Sequence, residues 1–492
     1  MPELVSDFIV SRLKEWGVRR LFGYSGDGIN GILGALDRAG NQPEFFQVRH
    51  EEAAGLMACA HAKYTGEVGV CLSTQGPGAI HLLNGLYDAK LDHQPVVAIV
   101  GQVARASLGG EFQQEVDLPV LFKDVASAFL GVIESPEQAR HVIDRAFRIA
   151  EAERTVTCVV VPHDVQRLEA VPNPPPKHGR LHSSVGYSRP RVLPNADALK
   201  RAAEVLNAGE RPAILIGAGA MHAAPEVKAA AEALNAGVAK ALLGKAALAD
   251  DIPYVTGSAG WLGTAASNQM MAECDTLLMV GTSFPYTEFL PKPGQATAVQ
   301  IDLDPGILGL RYPTEVNLQG DAALTLRELV PLLKPKQNKN WRDRIETNVA
   351  AWWQEADRRA HETANGLNPR LPFYELSQRL PDDAIISVDC GSSTIWYARE
   401  IKLRAGMLAV HAELGLAVLR RVQQPRVPLP KLRMHERVAD ARAVARADAA
   451  HALAVARAHD DAPLVAAVSC AVARANDATP VVAAVGAAVP PT

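Results

Sequence analysis

The chain has 492 residues, 48% of them hydrophobic, and 50 basic against 54 acidic side chains leave a net charge of -4. That length exceeds a single core and predicts about three domains, while the near-balance of charge excludes a strongly basic nucleic-acid or membrane-binding surface. No run of about 18 apolar residues and no basic-then-apolar start is present, so the expectation is a cytoplasmic protein without a membrane span or secretory signal.

Leu4, Val5, Phe8, Ile9, Leu13 and Trp16 share one helical face, stopped near Gly17. Short apolar runs then alternate with helical stretches as far as Thr155–Val161, the rhythm of a parallel sheet covered by helices on both faces. Within it, Gln47-Val-Arg-His-Glu-Glu-Ala-Ala54 opens a helix with Glu51 in its first turn. The apolar run Val68–Leu72 ends in Ser73-Thr-Gln-Gly-Pro-Gly78, a helix follows from Ile80, and Pro95–Gly101 supplies the next strand. This first unit covers residues 1–166. Residues 167–194, with Val171-Pro-Asn-Pro-Pro-Pro176, read as a linker.

A second α/β unit, 195–333, has strands expected at Ala213–Ile216, Thr276–Val280 and Ala298–Ile301, and helices at Asp197–Asn207 and Ala223–Leu234. Residues 334–365, opening on the polar Lys334–Asn340, read as a second linker. A third unit begins at 366 with Pro372–Leu380, a strand Ala384–Val388 and the loop Asp389-Cys-Gly-Ser-Ser-Thr394, and its pattern stops at 406. From 407 to 492 the sequence is rich in alanine, valine and arginine, with no aromatic residue and only Gly415 and Gly486 as glycine. Such a tail lacks the turns and bulky residues of a parallel α/β domain, and is expected to form Ala-rich helix or no packed core. The six cysteines, Cys59, Cys71, Cys158, Cys274, Cys390 and Cys470, form no close pair and read as buried thiols.

A carboxylate at a helix start commonly serves the helix dipole, and Glu51 could equally pair with Arg49. In combination, however, Arg49-His-Glu51, Gly76-Pro-Gly78 and Leu82-Leu-Asn-Gly-Leu-Tyr-Asp88 resemble the pyrimidine-binding domain of thiamine-diphosphate enzymes of the pyruvate oxidase and acetolactate synthase group. The resemblance runs from Leu4 to about Val165. It implies three doubly wound parallel-sheet α/β domains: pyrimidine-binding, central half-Rossmann and diphosphate-binding, the third incomplete here. It implies that Glu51 hydrogen-bonds the cofactor's aminopyrimidine ring and that Gly76, Pro77, Gly78 and Asn84 line the same site. Phe112 and Gln113, in Gly110-Glu-Phe-Gln-Gln-Glu115, become candidates for substrate contact, with a solvated loop as the alternative.

In the middle unit Ser258-Ala-Gly-Trp-Leu-Gly263, Gly281-Thr-Ser-Phe-Pro-Tyr286 and Ile301-Asp-Leu-Asp-Pro305 resemble the FAD-binding domain of pyruvate oxidases. The implied FAD contacts are Gly260, Leu262, Gly281, Thr282, Ser283, Phe284, Pro285 and Asp302. Asp389, Gly391 and Ser392 match only the start of the diphosphate site. In the family Mg²⁺ is held there by a Gly-Asp-Gly motif with a following Asn, and this chain lacks both in the third unit. Gly26-Asp27-Gly28 lies in the wrong domain and reads as an ordinary strand-to-helix loop, so no metal ligand is assigned. The resemblance thus implies decarboxylation of pyruvate or another 2-oxo acid on thiamine diphosphate, with FAD collecting electrons, in a homodimer or homotetramer. An acetolactate-synthase-like carboligase and a non-catalytic remnant stay open beside it.

Overall fold

Runs of three to seven mostly apolar residues become strands in two separate parallel sheets. The computed structural model describes residues 2–172, 181–411 and 465–467. Two compact units divide between Arg189 and Pro190.

The first unit holds β1 (Arg20–Gly23), β2 (Glu44–Gln47), β3 (Gly69–Ser73), β4 (Val96–Gln102), β5 (Leu130–Val132) and β6 (Val156–Pro162). They pair in parallel in the order β2-β1-β3-β4-β6-β5. The helices are α1 (Val5–Glu15), α2 (Asn30–Arg38), α3 (Glu51–Thr65), α4 (Pro77–Leu91), α5 (Leu118–Phe122) and α6 (Ala139–Glu153). Every residue of β3, β4 and β6 is buried, as expected of strands covered on both faces. Side chains of β4 alternate between two cores. Val97 and Ile99 meet Ile9, Ile32 and Phe147, whereas Ala98 and Val100 join Ala54, Ala58, Leu82 and Leu86. Helix α1 is tied to α6 by Asp144, which accepts from Arg12 Nε at 2.8 Å and Nη2 at 2.6 Å, and from Trp16 Nε1 at 2.8 Å. Arg12 and Arg148 also donate to the carbonyls of Ser183 and Ser184, so part of the expected first linker runs over this unit.

The second unit repeats the architecture with β7 (Pro212–Ile216), β8 (Gly237–Lys240), β9 (Val255–Ser258), β10 (Thr276–Val280), β11 (Thr297–Asp302) and β12 (Val316–Gln319). The order is β12-β11-β10-β7-β8-β9, again parallel. Its helices are α7 (Ala196–Ala208), α8 (Ala224–Leu234), α9 (Ala265–Glu273), α10 (Ala322–Leu329) and α11 (Asn340–Ala360). Sequence reading found β7, β10 and β11 but not β8, β9 and β12. Each of these has four residues and carries glycine, threonine or asparagine inside, which weakens the apolar signal.

Two expectations need correction. Most of the supposed linker 334–365 is α11, 21 residues long, whose Trp341, Ile345, Val349 and Trp352 enter the second unit's core. Its many charges hid a stripe with spacings of four, four and three residues. The supposed tail from 407 begins instead with a strand. β13 (Ile385–Val388), β14 (Leu408–His411) and β15 (Val465–Ala467) form a small parallel sheet in the order β14-β13-β15, with α12 (Arg370–Arg379) and α13 (Ser392–Glu400) beside it. Buried Asp250 joins this part to the second sheet. Its carboxylate accepts from Lys240 at 2.5 Å, from Lys245 at 2.9 Å and from the Leu403 amide at 2.9 Å.

The proline run at 174–176, Cys470 and the remaining tail lie outside the described residues. Cys59, Cys71, Cys158 and Cys274 are buried thiols as expected, but Cys390 is exposed because it stands in the turn after β13. No helix among the described residues is long and apolar enough to cross a membrane.

Candidate active site

Two helix starts meet at the carboxyl end of β3. Helix α4 begins at Pro77, three residues before the expected Ile80, because proline suits the first helical position. Gly76 before it has φ +59°, and a Cβ there would fall 2.6 Å from the Gln114 carbonyl oxygen. At Gly78 a Cβ would stand 3.1 Å from Glu51 Oε1. Glycine at both positions lets the turn pack directly against Gln114, Thr74 and Glu51.

Glu51 opens α3 and is 7% exposed. Its Oε2 lies 3.0 Å from Nδ1 of His81 on α4, so its partner is His81 and not Arg49. His50 caps α3, accepting the Glu52 amide at 3.3 Å on Nδ1, and its ring centre is 4.3 Å from that of His81. The helices approach this closely because Gly55 and Gly85 face each other. A Cβ on Gly55 would lie 3.1 Å from Gly85 Cα, and one on Gly85 would overlap the Leu56 amide. Asn84, also on α4, donates to Glu52. His50 stood in the quoted Arg49-His-Glu51 and His81 just after the expected helix start at Ile80, yet they are 31 positions apart and no periodicity pairs them.

The 110–115 loop exposes both residues named as substrate candidates. Phe112 is 56% exposed and Gln113 is exposed as well. The residue held against the glycine turn is Gln114, whose Oε1 lies 3.5 Å from Gln75 Nε2. The Glu115 carboxylate accepts from the amides of Gly109 at 2.6 Å and Phe112 at 3.0 Å, and these backbone bonds hold it below its ordinary range.

In the second unit two glycine loops meet. Gly281, after β10, has φ +58°, and a Cβ there would fall 2.5 Å from Gly219 Cα, while the Gly219 amide donates to the Gly281 carbonyl at 3.0 Å. Thr282 and Phe284 are buried, Ser283 and Pro285 exposed. A Cβ on Gly260 would lie 2.9 Å from the Phe284 ring, so segments 258–263 and 281–286 do come together, with Leu262 half-buried between solvent and loop. Asn268, which no motif singled out, clamps Gly260: Oδ1 accepts its amide at 3.0 Å and Nδ2 donates to its carbonyl at 3.2 Å. Asp302 ends β11 and accepts the Asp304 amide at 3.0 Å.

At the third sheet Gly391, with φ +119°, precedes α13, whose first residue is Ser392. Asp389 Oδ1 accepts the Cys390 amide at 2.8 Å, and its carbonyl accepts the hydroxyls of Ser393 and Thr394. Asp27, in the Gly-Asp-Gly of the first unit, likewise accepts its neighbour's amide, that of Gly28, at 2.9 Å.

Both units resemble known proteins. Residues 4–120 match the N-terminal TPP binding domain of thiamine pyrophosphate enzymes, and residues 199–329 match the central domain of the same enzymes. The protein named "Putative thiamine pyrophosphate-containing protein YdaP" from Bacillus subtilis is 37% identical over 395 residues, 80% of this chain and 67% of its own length. Pyruvate oxidase of Lactiplantibacillus plantarum is 32% identical over 399 residues, covering 80% and 65%. The large subunit of acetolactate synthase isozyme 2 from Escherichia coli is 31% identical over 407 residues, covering 80% and 70%. The chain thus spans about two thirds of the length of these relatives. With both domains matched and relatives this similar over most of its length, the chain belongs to the thiamine pyrophosphate enzymes.

Proposed function

We propose that this chain serves thiamine-diphosphate-dependent decarboxylation of pyruvate or a similar 2-oxo acid, with FAD in the second unit taking the electrons released. Glu51 carries the reading: a carboxylate 7% exposed at the start of α3, set against the Gly76-Pro-Gly78 turn. The residues fit the cofactor's pyrimidine half. Glu51 would hold a proton at the ring nitrogen, Gly76, Pro77 and Gly78 would border the ring, and Asn84 would steady the helix start through Glu52. When bound, the cofactor supplies a thiazolium carbon that adds to the 2-oxo acid and stores the electron pair left by loss of CO2. His81, 3.0 Å from Glu51, orients the carboxylate. Phe112 and Gln113 are exposed and open to substrate.

The glycine loops of the second unit fit a dinucleotide, since main chain without side chains can approach its phosphates. Gly260, Leu262, Gly281, Thr282, Ser283, Phe284, Pro285 and Asp302 are assigned to FAD. The described residues do not fit Mg²⁺ on a diphosphate. That ion takes oxygens, whereas the one donor cluster contains two imidazoles, and Asp389, Gly391 and Ser392 supply only the opening of a diphosphate loop.

The polypeptide alone is therefore expected to bind FAD and to leave 2-oxo acids unconsumed in the presence of thiamine diphosphate, Mg²⁺ and FAD. Replacing the residues after 407 by the corresponding part of the Lactiplantibacillus plantarum pyruvate oxidase should give pyruvate consumption with flavin reduction. A colourless protein that takes up no FAD would overturn the flavin assignment. Carboligation of two 2-oxo acids without flavin reduction in the chimera would replace the oxidase reading by the synthase one.

A further inference from the structure

We propose that His50, Glu51 and His81 form a binding site for a divalent transition-metal ion of the zinc type. Among the described residues they are the one group of three His, Cys, Asp or Glu side chains whose donor atoms all lie within 4.8 Å of one another. Main-chain geometry builds the cluster. His50 caps α3, Glu51 is its first residue, and His81 stands in α4, drawn near by the contact of Gly55 with Gly85.

Zinc binds imidazole nitrogen and carboxylate oxygen at about 2.0–2.2 Å, so two donors of a tetrahedral shell stand about 3.3 Å apart. His81 Nδ1 and Glu51 Oε2, at 3.0 Å, already have nearly that spacing. The metal takes the place between them, and the His81 ring, neutral as a ligand, keeps its proton on Nε2. The His50 ring, 4.3 Å away centre to centre, completes the set by small rotation. If it ligates through Nδ1 it gives up only a long 3.3 Å cap to the Glu52 amide. Two imidazoles and one carboxylate, with a fourth position open to water, select zinc, cobalt or copper over magnesium. Exposed His50 and His81 provide the entry path to buried Glu51. If Glu51 serves the pyrimidine ring as proposed above, the same metal excludes that ring. The titration below reads the metal alone and so holds or fails independently of that reading.

The test uses the full, tag-free chain carrying Cys390→Ser, which removes the exposed thiol as a competing soft ligand. Zn²⁺ is titrated by calorimetry and Co²⁺ by visible absorption. The expected result is one equivalent per chain, tetrahedral Co²⁺ bands, and no displacement by millimolar Mg²⁺. Removing an outer neighbour of a metal ligand costs about 10- to 100-fold in affinity, so removing two ligands in the His50→Gln, His81→Asn double variant should cost at least about 100-fold. Both histidines are exposed, and an unchanged far-ultraviolet circular dichroism spectrum shows that the variant still folds. Absence of stoichiometric binding, or equal affinity in the folded double variant, overturns the site.

Discussion

The glycine turns after β3 and after β10 end equivalent parallel strands, yet they do opposite things. After β3, Gly76 leads straight into the 15-residue helix α4, so the turn brings the start of that helix against the Glu51 carboxylate. After β10, Gly281 packs on Gly219 and is followed by an irregular loop, so this turn exposes main chain without adding a charged group. On the reading proposed above, one sheet end serves proton transfer and the other holds a phosphate-bearing ligand. The same fold supports both because the chemistry resides in the strand-end loops.

Breaking the first turn's chemistry has the largest expected effect. In the chimera with an intact diphosphate domain, Glu51→Gln should lower turnover by about 100- to 10,000-fold, the range of a positioned acid or base, with FAD binding unchanged. Steady-state assay and flavin absorbance read the two outcomes, and near-normal turnover would remove Glu51 from the mechanism.

Next in size is an effect on the first unit's stability. Burial would raise the Asp144 carboxyl, but the bonds from Arg12 and Trp16 outweigh it, and the group sits below its ordinary range. Its contribution is therefore present above about pH 4 and lost as pH falls through the lower folded value. Asp144→Asn leaves Arg12 without its buried partner and should cost about 3–5 kcal/mol at neutral pH. It should also flatten the acid limb of the first unit's unfolding curve, measured by denaturant titration at several pH values. An unchanged acid limb would assign that limb to other carboxyls.

Glycine replacements sharpen the contrast between the turns. Gly281→Ala puts a Cβ 2.5 Å from Gly219 Cα at φ +58° and should abolish FAD uptake, with a stability cost of about 1–3 kcal/mol. Gly85→Ala should cost a similar amount by forcing α3 and α4 apart, while FAD uptake persists. Flavin titration beside thermal unfolding separates the two. If Gly281→Ala binds FAD normally, the second turn is not the flavin cradle.

The smallest effect is expected at Phe112. At 56% exposure, Phe112→Ala should change stability by less than about 0.5 kcal/mol. In the chimera it should raise KM for the 2-oxo acid with little change in kcat if the side chain touches substrate. An unaltered KM would leave it as a surface residue.

Motifs that were local in sequence proved readable in the structure. Glu51 at a helix start, the strand before Gly76-Pro-Gly78, and β7, β10 and β11 all depend on neighbours within one element or turn. Helix α11 was misread because its apolar stripe is thin among charges, and only its packing partners show which face is buried. Asn268 at Gly260 and Gln114 at Gly76 escaped notice for a similar reason, since polar loop residues carry no periodic signal.

By itself, then, the sequence determined the alternation of strands and helices, a carboxylate at a helix start and a glycine turn after a strand, because each follows from short-range pattern and backbone sterics. Tertiary structure alone decided that His81 rather than Arg49 partners Glu51. Residues 30 positions apart meet only because the parallel sheet places β2 and β3 on either side of β1, with the helices that follow them packed together. There, facing glycines at 55 and 85 let the following helices touch main chain to main chain, and pairing of this kind leaves no mark in local pattern.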